Sequence, residues 1–323
     1  MLQLAGLFSS IGEDLEASAR IFRDELRSES PYVGELCEHI EHFRGKQLRP
    51  ALLLLTGQAC GQLRPAHRVL AAVVEMVHLA TLVHDDVLDE ADLRRRAATV
   101  SRRWGNESAV LLGDLLFSHA FRLCSSLDDQ FASQLIGRTA VTPCSGELTQ
   151  VSNCDNCDLT EAEYFEIIAG KTASLIGTCC LLGARYAGAH DDVVRRMNEF
   201  GVGLGTAFQI TDDLLDLIGD ETEVGKSLGR DLDKGKLTLP LIQFLRTAAP
   251  TQRERMLALL RDGDARRNGQ VAMLLANSDS IDYARRIAYE HVRRSLNMLS
   301  ELPPSDARSS LTAMAEFIVA RRQ

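Results

Sequence analysis

Val69-Leu70-Ala71-Ala72-Val73-Val74-Glu75-Met76-Val77-His78-Leu79-Ala80-Thr81-Leu82-Val83 runs directly into His84-Asp85-Asp86-Val87-Leu88-Asp89. The first stretch is apolar nearly all round, as in a helix buried on every side. The second closes it with three carboxylates. On a helix Asp85 and Asp89 lie one turn apart on one face, with Asp86 about 100° round. The same Asp-Asp-x-x-Asp pattern returns in Gln209-Ile210-Thr211-Asp212-Asp213-Leu214-Leu215-Asp216, again at the end of an apolar helical segment. A single acidic helix end is ordinarily a solvated surface; two, each fused to a core helix, are not. Clustered carboxylates repel one another and cost desolvation, and bound dications relieve both. Oxygen donors without Cys or His select Mg²⁺, with Mn²⁺ as the alternative ion. Mg²⁺ takes one or two carboxylates, several waters and a substrate phosphate. Two such motifs facing each other would therefore gather several ions around one diphosphate.

Working outward, apolar residues recur at helical spacing almost throughout. Ile11, Leu15, Ala19, Ile21, Phe22 and Leu26 share one helix face, and residues 109–124, 160–187, 192–218 and 236–247 also read as helices. Strand signals are weak; Leu237-Thr238-Leu239 stops at Pro240. Breaks fall at Gly61 to Pro65, Asn153 to Asp158, Gly188 to Asp191, Gly219 to Gly235, Ala249-Pro250 and Pro303-Pro304. None is a domain linker, so the expectation is one all-α domain over residues 1–323, a single large helical bundle. Only 8 Pro among 323 residues suits long helices. The net charge of −9 argues against nucleic acid as a partner, and removing the six motif carboxylates takes it from −9 to −3. Eight Cys are too sparse for a disulfide scaffold. Glu13 and Asp14 spoil a signal peptide, and Glu75 and His78 interrupt the longest apolar run. A cytoplasmic location is expected.

A diphosphate also needs fixed cations. Arg94 and Arg95 follow Asp89, Lys226 and Lys236 follow Asp216, Lys46 and Arg49 lie just before an apolar helix, and Lys171-Thr172 adds a cation and a hydroxyl. Arg suits bidentate phosphate contacts, and Lys serves as a point charge. Cys154-Asp155-Asn156-Cys157, even with Cys144, lacks a second pair or a His to complete a zinc set. It reads as a loop. Gly201, Gly203 and Gly205 do not fit a dinucleotide fingerprint and suit close helix packing.

GKQLRP, HDDVLDEADLRR, GKTASL, FQITDDLLD and GKSLGRDLDKGKLTLPLI occur in order. Together they resemble the trans-type isoprenyl diphosphate synthases, also called polyprenyl synthetases, over residues 40–322. The resemblance implies an all-α bundle of the isoprenoid synthase type around a central cavity, usually a homodimer. It implies Mg²⁺-dependent, head-to-tail condensation of isopentenyl diphosphate with an allylic diphosphate to an all-trans polyprenyl diphosphate. By the same resemblance, about three Mg²⁺ bind between Asp85, Asp86 and Asp89 and Asp212, Asp213 and Asp216. Arg94, Lys171, Lys226 and Lys236 match positions holding the allylic diphosphate. Thr172 and Gln209 match positions beside its reacting carbons, and Lys46, Arg49, His78 and Arg95 match the isopentenyl diphosphate site. Gln47 stands where the family usually has Lys or Arg, and Arg96-Ala97-Ala98 replaces a Gly-Lys-Pro-like stretch. Arg321-Arg322 resembles the basic tails of relatives.

The growing chain is expected to run along the helix before Asp85, towards its N-terminus. Short-chain members of the family place Phe or Tyr as a floor where this chain has Ala80 and Thr81; Val77, Met76 and Val74 are modest plugs further on, with Phe117 and Phe121 on the facing helix. A product longer than C15 is therefore expected, with geranylgeranyl diphosphate as the alternative and transient membrane contact for release of a long product. A terpene cyclase or irregular coupling enzyme fits less well, because cyclases commonly replace the second Asp motif and lack the Lys46/Arg49 site. A regulatory subunit fits less well because such subunits usually lose an Asp motif.

Overall fold

The computed structural model describes residues 6–219, 229–261 and 267–320. Regular structure among them is helical apart from one short hairpin, Leu93–Arg94 paired with Ala97–Ala98. The all-α expectation is met. By spatial contacts the chain forms two compact units. The first comprises Met1–Ala140, Thr178–Asn198 and Leu302–Leu311; the second comprises Val141–Gly177, Glu199–Glu301 and Thr312–Gln323.

The core of the first unit is the Pro65–Leu88 helix. Pro65 opens it, where a missing N–H costs nothing. From Leu70 to Leu79 only His78 retains appreciable exposure. The Asn106–Ser125, Gly12–Glu25 and Leu48–Cys60 helices pack around it. Two close crossings set the spacing. A Cβ on Gly113 would lie 2.1 Å from the His84 ring, and one on Gly57 would lie 2.7 Å from His67.

In the second unit, Glu161–Ile168 begins in a capping box: Thr160 Oγ1 accepts from the Glu163 amide at 3.3 Å, and Glu163 Oε2 accepts from the Thr160 amide at 2.7 Å. The helix widens into a π-type turn at Ala169–Ala173 before continuing as Ser174–Tyr186. The sequence reads 160–187 as one helix because periodicity does not register a single wide turn. The helix expected from residue 236 starts at Leu239, with Thr238 extended and Pro240 in the first turn. The Phe131–Ser152 helix was not foreseen and contains Pro143. Pro65–Leu88 and Glu161–Tyr186 are long and apolar enough to cross a bilayer by length and composition, but 67% and 78% of their apolar windows are buried inside the fold. They are core helices.

The Leu93–Ala98 hairpin turns on Arg95 and Arg96, with φ of 50° and 70°. Both central residues of a type I′ turn need positive φ, which Gly adopts freely and Arg does not. Arg96→Gly is expected to stabilise the protein by about 0.5 kcal/mol, the relieved strain exceeding the added chain entropy. A raised urea midpoint checks this; a lowered one would mean that the Arg96 side chain contributes more than its backbone costs.

Candidate active site

The two acidic motifs fold in the same way. In the first unit Asp86 is 1% exposed. Arg94 holds it: Nε reaches its two oxygens at 2.9 and 2.8 Å, and Nη2 lies 2.7 Å from Oδ1. Asp85 and Asp89, one turn apart, are half-buried. In the second unit Asp213 is 5% exposed and accepts from Tyr164 at 2.6 Å and Gln209 at 2.8 Å. Asp212 and Asp216 are half-buried. Helical geometry explains the pattern. The outer two carboxylates share a face, and the middle one points about 100° away, into the packed interior. It is tolerated there because hydrogen-bond donors meet it.

The first unit also gathers the residues expected to bind isopentenyl diphosphate. The charges of Arg49 and Arg95 act both on Glu75, a 3% exposed carboxylate, and on His78 one turn further on. Burial raises the Glu75 carboxyl, while Arg44, Arg49 and Arg95 pull it back down. Burial, followed by the charges of Arg49, Arg95 and Arg94, holds His78 well below its usual value, so it is neutral at pH 7. The Arg95 guanidinium occupies the space beside Gly45, where a Cβ would lie 1.6 Å from Nη1. Lys46 is exposed, and Gln47 has a φ of 50° at the start of the Leu48–Cys60 helix. Glu75 was not singled out from sequence. Its signal was a lone carboxylate inside a fully buried helix.

In the second unit a cavity is lined by Tyr164, Lys171, Gln209, Asp213, Asp231 and Lys236, with Ile167, Ile168 and Leu237 as its apolar wall. Two backbone contacts build it. Gly170 meets Gly146 of the Phe131–Ser152 helix, where a Cβ would lie 3.3 Å from the Gly146 Cα. Gly205 meets Ala173, where a Cβ would lie 2.6 Å from the Ala173 Cα. The first contact directs Lys171 to Glu147 at 2.5 Å and Gln150 at 3.0 Å. The second lets Gln209, one turn after Gly205, accept from Thr172 at 2.7 Å. Gly203 likewise makes room for Ser295. The close-packing role expected of these glycines is thus seen at 203 and 205. Asp216 accepts the backbone amides of Arg230 and Asp231 at 3.3 and 3.0 Å, which fixes the turn before Lys236. Sequence reading missed Tyr164, Glu147 and Asp231. Lys226 and Arg321-Arg322 lie outside the described residues.

Ala80, Val77 and Met76 are fully packed within the first unit, and Thr81 donates to the His78 carbonyl at 2.8 Å. The Phe117 ring lies 6.1 Å from that of His84. Cys154 is exposed and Cys157 half-buried, in the turn after the Phe131–Ser152 helix. Among the described residues no three His, Cys, Asp or Glu side chains converge as a closed metal cage. Mg²⁺ does not demand one, since waters and phosphate complete its shell. The donors present are all hard oxygens, so the residues fit such an ion.

Burial, and then the neighbouring Asp231, raise Asp213 from 3.8 to about 7. A carboxyl whose pKa rises on folding stabilises the fold at acid pH, and that contribution is lost as pH climbs through the folded value. For metal-free protein, the melting temperature of wild type relative to Asp213→Asn is expected to fall between pH 4 and about 7. Parallel curves for the two proteins would show that Asp213 titrates normally.

Against known proteins, residues 30–277 match the polyprenyl synthetase family. A short chain isoprenyl diphosphate synthase of Methanothermobacter thermautotrophicus is 34% identical over 288 residues, 88% of this chain and 89% of that one. An all-trans-nonaprenyl-diphosphate synthase (geranyl-diphosphate specific) of Rhodobacter capsulatus is 34% identical over 318 residues, 98% of each chain. A crystal structure of a polyprenyl synthase from Caulobacter crescentus, complexed with calcium and isoprenyl diphosphate, superimposes with a TM-score of 0.92 at 30% identity, covering 99% of this chain and 98% of that one. With the likeness running the length of the chain and both acidic motifs present, the chain belongs to the polyprenyl synthetase family of prenyltransferases.

Proposed function

We propose that this chain condenses isopentenyl diphosphate with an allylic diphosphate to an all-trans polyprenyl diphosphate longer than C15. The observation that carries the proposal is the cavity of the second unit, which Lys171, Lys236 and Gln209 line beside an acidic motif, with Thr172 hydrogen-bonded to Gln209. Relatives named for heptaprenyl, octaprenyl and nonaprenyl products support the length.

The outer carboxylates, Asp85 and Asp89 in one motif and Asp212 and Asp216 in the other, are the residues that would hold Mg²⁺. Bound Mg²⁺ supplies charge compensation for the leaving diphosphate. Lys171 and Lys236 add fixed positive charge to that group as its C–O bond ionises. To do so Lys171 exchanges Glu147 for phosphate oxygens. Thr172 and Gln209 present their oxygens to the allylic cation, and Ile167, Ile168 and Leu237 keep water from it. Arg49, Arg95 and the neutral His78 hold isopentenyl diphosphate. Its double bond attacks C1 of the allylic cation, and the new tertiary cation loses a proton to the departed diphosphate. No protein base is needed.

A second copy of the chain is the proposed partner. Val141, Leu148 and Val151 are 65%, 72% and 57% exposed on the Phe131–Ser152 helix, an apolar stripe that self-association would cover. A reducing, cytoplasmic setting belongs to the same proposal and agrees with Cys37, Cys124, Cys179 and Cys180 being buried free thiols.

Purified protein with Mg²⁺, labelled isopentenyl diphosphate and C5, C10, C15 or C20 allylic diphosphates is expected to yield one dominant long product after dephosphorylation. Cyclised hydrocarbon, or no turnover with any primer, would overturn the proposal. Ala80→Phe is expected to shorten the product by at least one five-carbon unit. An unchanged ladder from a variant with wild-type melting would remove Ala80 from length control.

A further inference from the structure

Three hydrogen bonds in the second unit form one directed chain. Tyr164 Oη donates to Asp213 Oδ2 at 2.6 Å. Gln209 Nε2 donates to Asp213 Oδ1 at 2.8 Å. Thr172 Oγ1 donates to Gln209 Oε1 at 2.7 Å. The direction follows from chemistry. Asp213 Oδ1 accepts from Gln209, so the NH₂ end of Gln209 faces the carboxyl group and its carbonyl faces Thr172. A carbonyl only accepts, so it takes the single proton of the Thr172 hydroxyl. The lone pairs of Thr172 then face away from Gln209, the orientation that a cation requires of a hydroxyl.

Asp213 is 5% exposed, and Gln209 is one anchor of its carboxyl group. Tyr164, itself 3% exposed, supplies the second anchor. Burial and the Asp213 charge push the Tyr164 phenol well above its usual value, so it remains a donor at neutral pH. The hydroxyl has no direct role in the chemistry proposed above. It donates to the carboxyl group that orients Gln209.

We infer that Tyr164 is a positioning residue: through Asp213 it fixes the orientation of Gln209 and hence the direction of the Thr172 hydroxyl at the reacting allylic carbon. This rests on the placement of Thr172 and Gln209 beside that carbon under the proposed function.

Tyr164→Phe removes the hydroxyl and keeps the ring. kcat is expected to fall roughly tenfold, the effect of one misdirected hydrogen bond, with KM for both diphosphates changed less than about twofold. The decisive measurement is the double variant with Thr172→Val. If Tyr164 acts through Thr172, then Tyr164→Phe costs nothing further once the hydroxyl is gone. Binding gives a readout apart from turnover. An ammonium analogue of the allylic diphosphate is expected to bind Tyr164→Phe roughly tenfold more weakly, with inorganic diphosphate unchanged. Wild-type kcat in Tyr164→Phe, a full tenfold loss that persists beside Thr172→Val, or equal weakening of both ligands would each overturn the inference. Absence of turnover in the wild type would instead strike the proposed function. If Tyr164→Phe loses its native melt, Asp213→Asn is read in the same way, because a carboxamide no longer dictates which end of Gln209 faces it.

Discussion

The Ala169–Ala173 turn exists because neighbouring backbones come close enough to hold it. Gly170 rests on Gly146 from one side, and Gly205 rests on Ala173 from another. A π-type turn carries one more residue than the α-helix it interrupts and has poorer hydrogen bonding, so it persists only where packing compensates. Here it moves Lys171 and Thr172 out of helical register. Lys171 then reaches Glu147, and Thr172 reaches Gln209. From Gln209 the constraint passes to Asp213 and Tyr164. A Cβ at Gly205 would displace the backbone of Ala173, and with it Thr172, the first link to Gln209.

Charge inside apolar helices is the second constraint, and it is met by pairing. Asp86 lies against Arg94, Glu75 among Arg44, Arg49 and Arg95, and Asp213 between two neutral donors. Deleting one member of a buried pair typically costs about 3–5 kcal/mol, because the other is left uncompensated. The choice of partner has consequences. Asp86 has a guanidinium against its carboxylate. Asp213, with neutral donors and Asp231 nearby, is driven towards protonation. The two motifs share a spelling and a geometry but differ in electrostatics.

Much of this was legible in the sequence, and the unread parts have physical reasons. Helical period and Asp spacing gave the fold class and the outer–middle asymmetry of each motif, since both depend only on local geometry. The pairing of Thr172 with Gln209 depends on a contact between residues far apart in sequence, and the sequence carried it only as family resemblance. Glu147 and Tyr164 stand in helices whose pattern is ordinary, so nothing local marks them. The turn at Arg95-Arg96 was unreadable for the opposite reason: Arg-Arg is a poor turn sequence, and the backbone adopts positive φ there despite it. Residues 236–238 read as helix because their apolar character continues that of the helix beyond, whereas Pro240 places the helix start at Leu239.

Ala80 shows how chain length can be a packing property. It has no accessible surface, and Val77 and Met76 beneath it are closed in as completely. On the proposed reading, a growing chain therefore displaces side chains as it advances. Each five-carbon unit buried gains about 4 kcal/mol at ~0.8 kcal/mol per carbon group. Overpacking a core by a few methylenes costs about 1–3 kcal/mol. Elongation past Ala80 is favourable on that balance, because a methyl group yields little resistance and Val77 and Met76 can shift rotamer. It stops where the next displacement requires a ring or a backbone to move. A rigid aromatic at position 80 brings that limit to the first turn, so the identity of one small side chain decides whether the helix bearing the acidic motif acts as a floor or as a track.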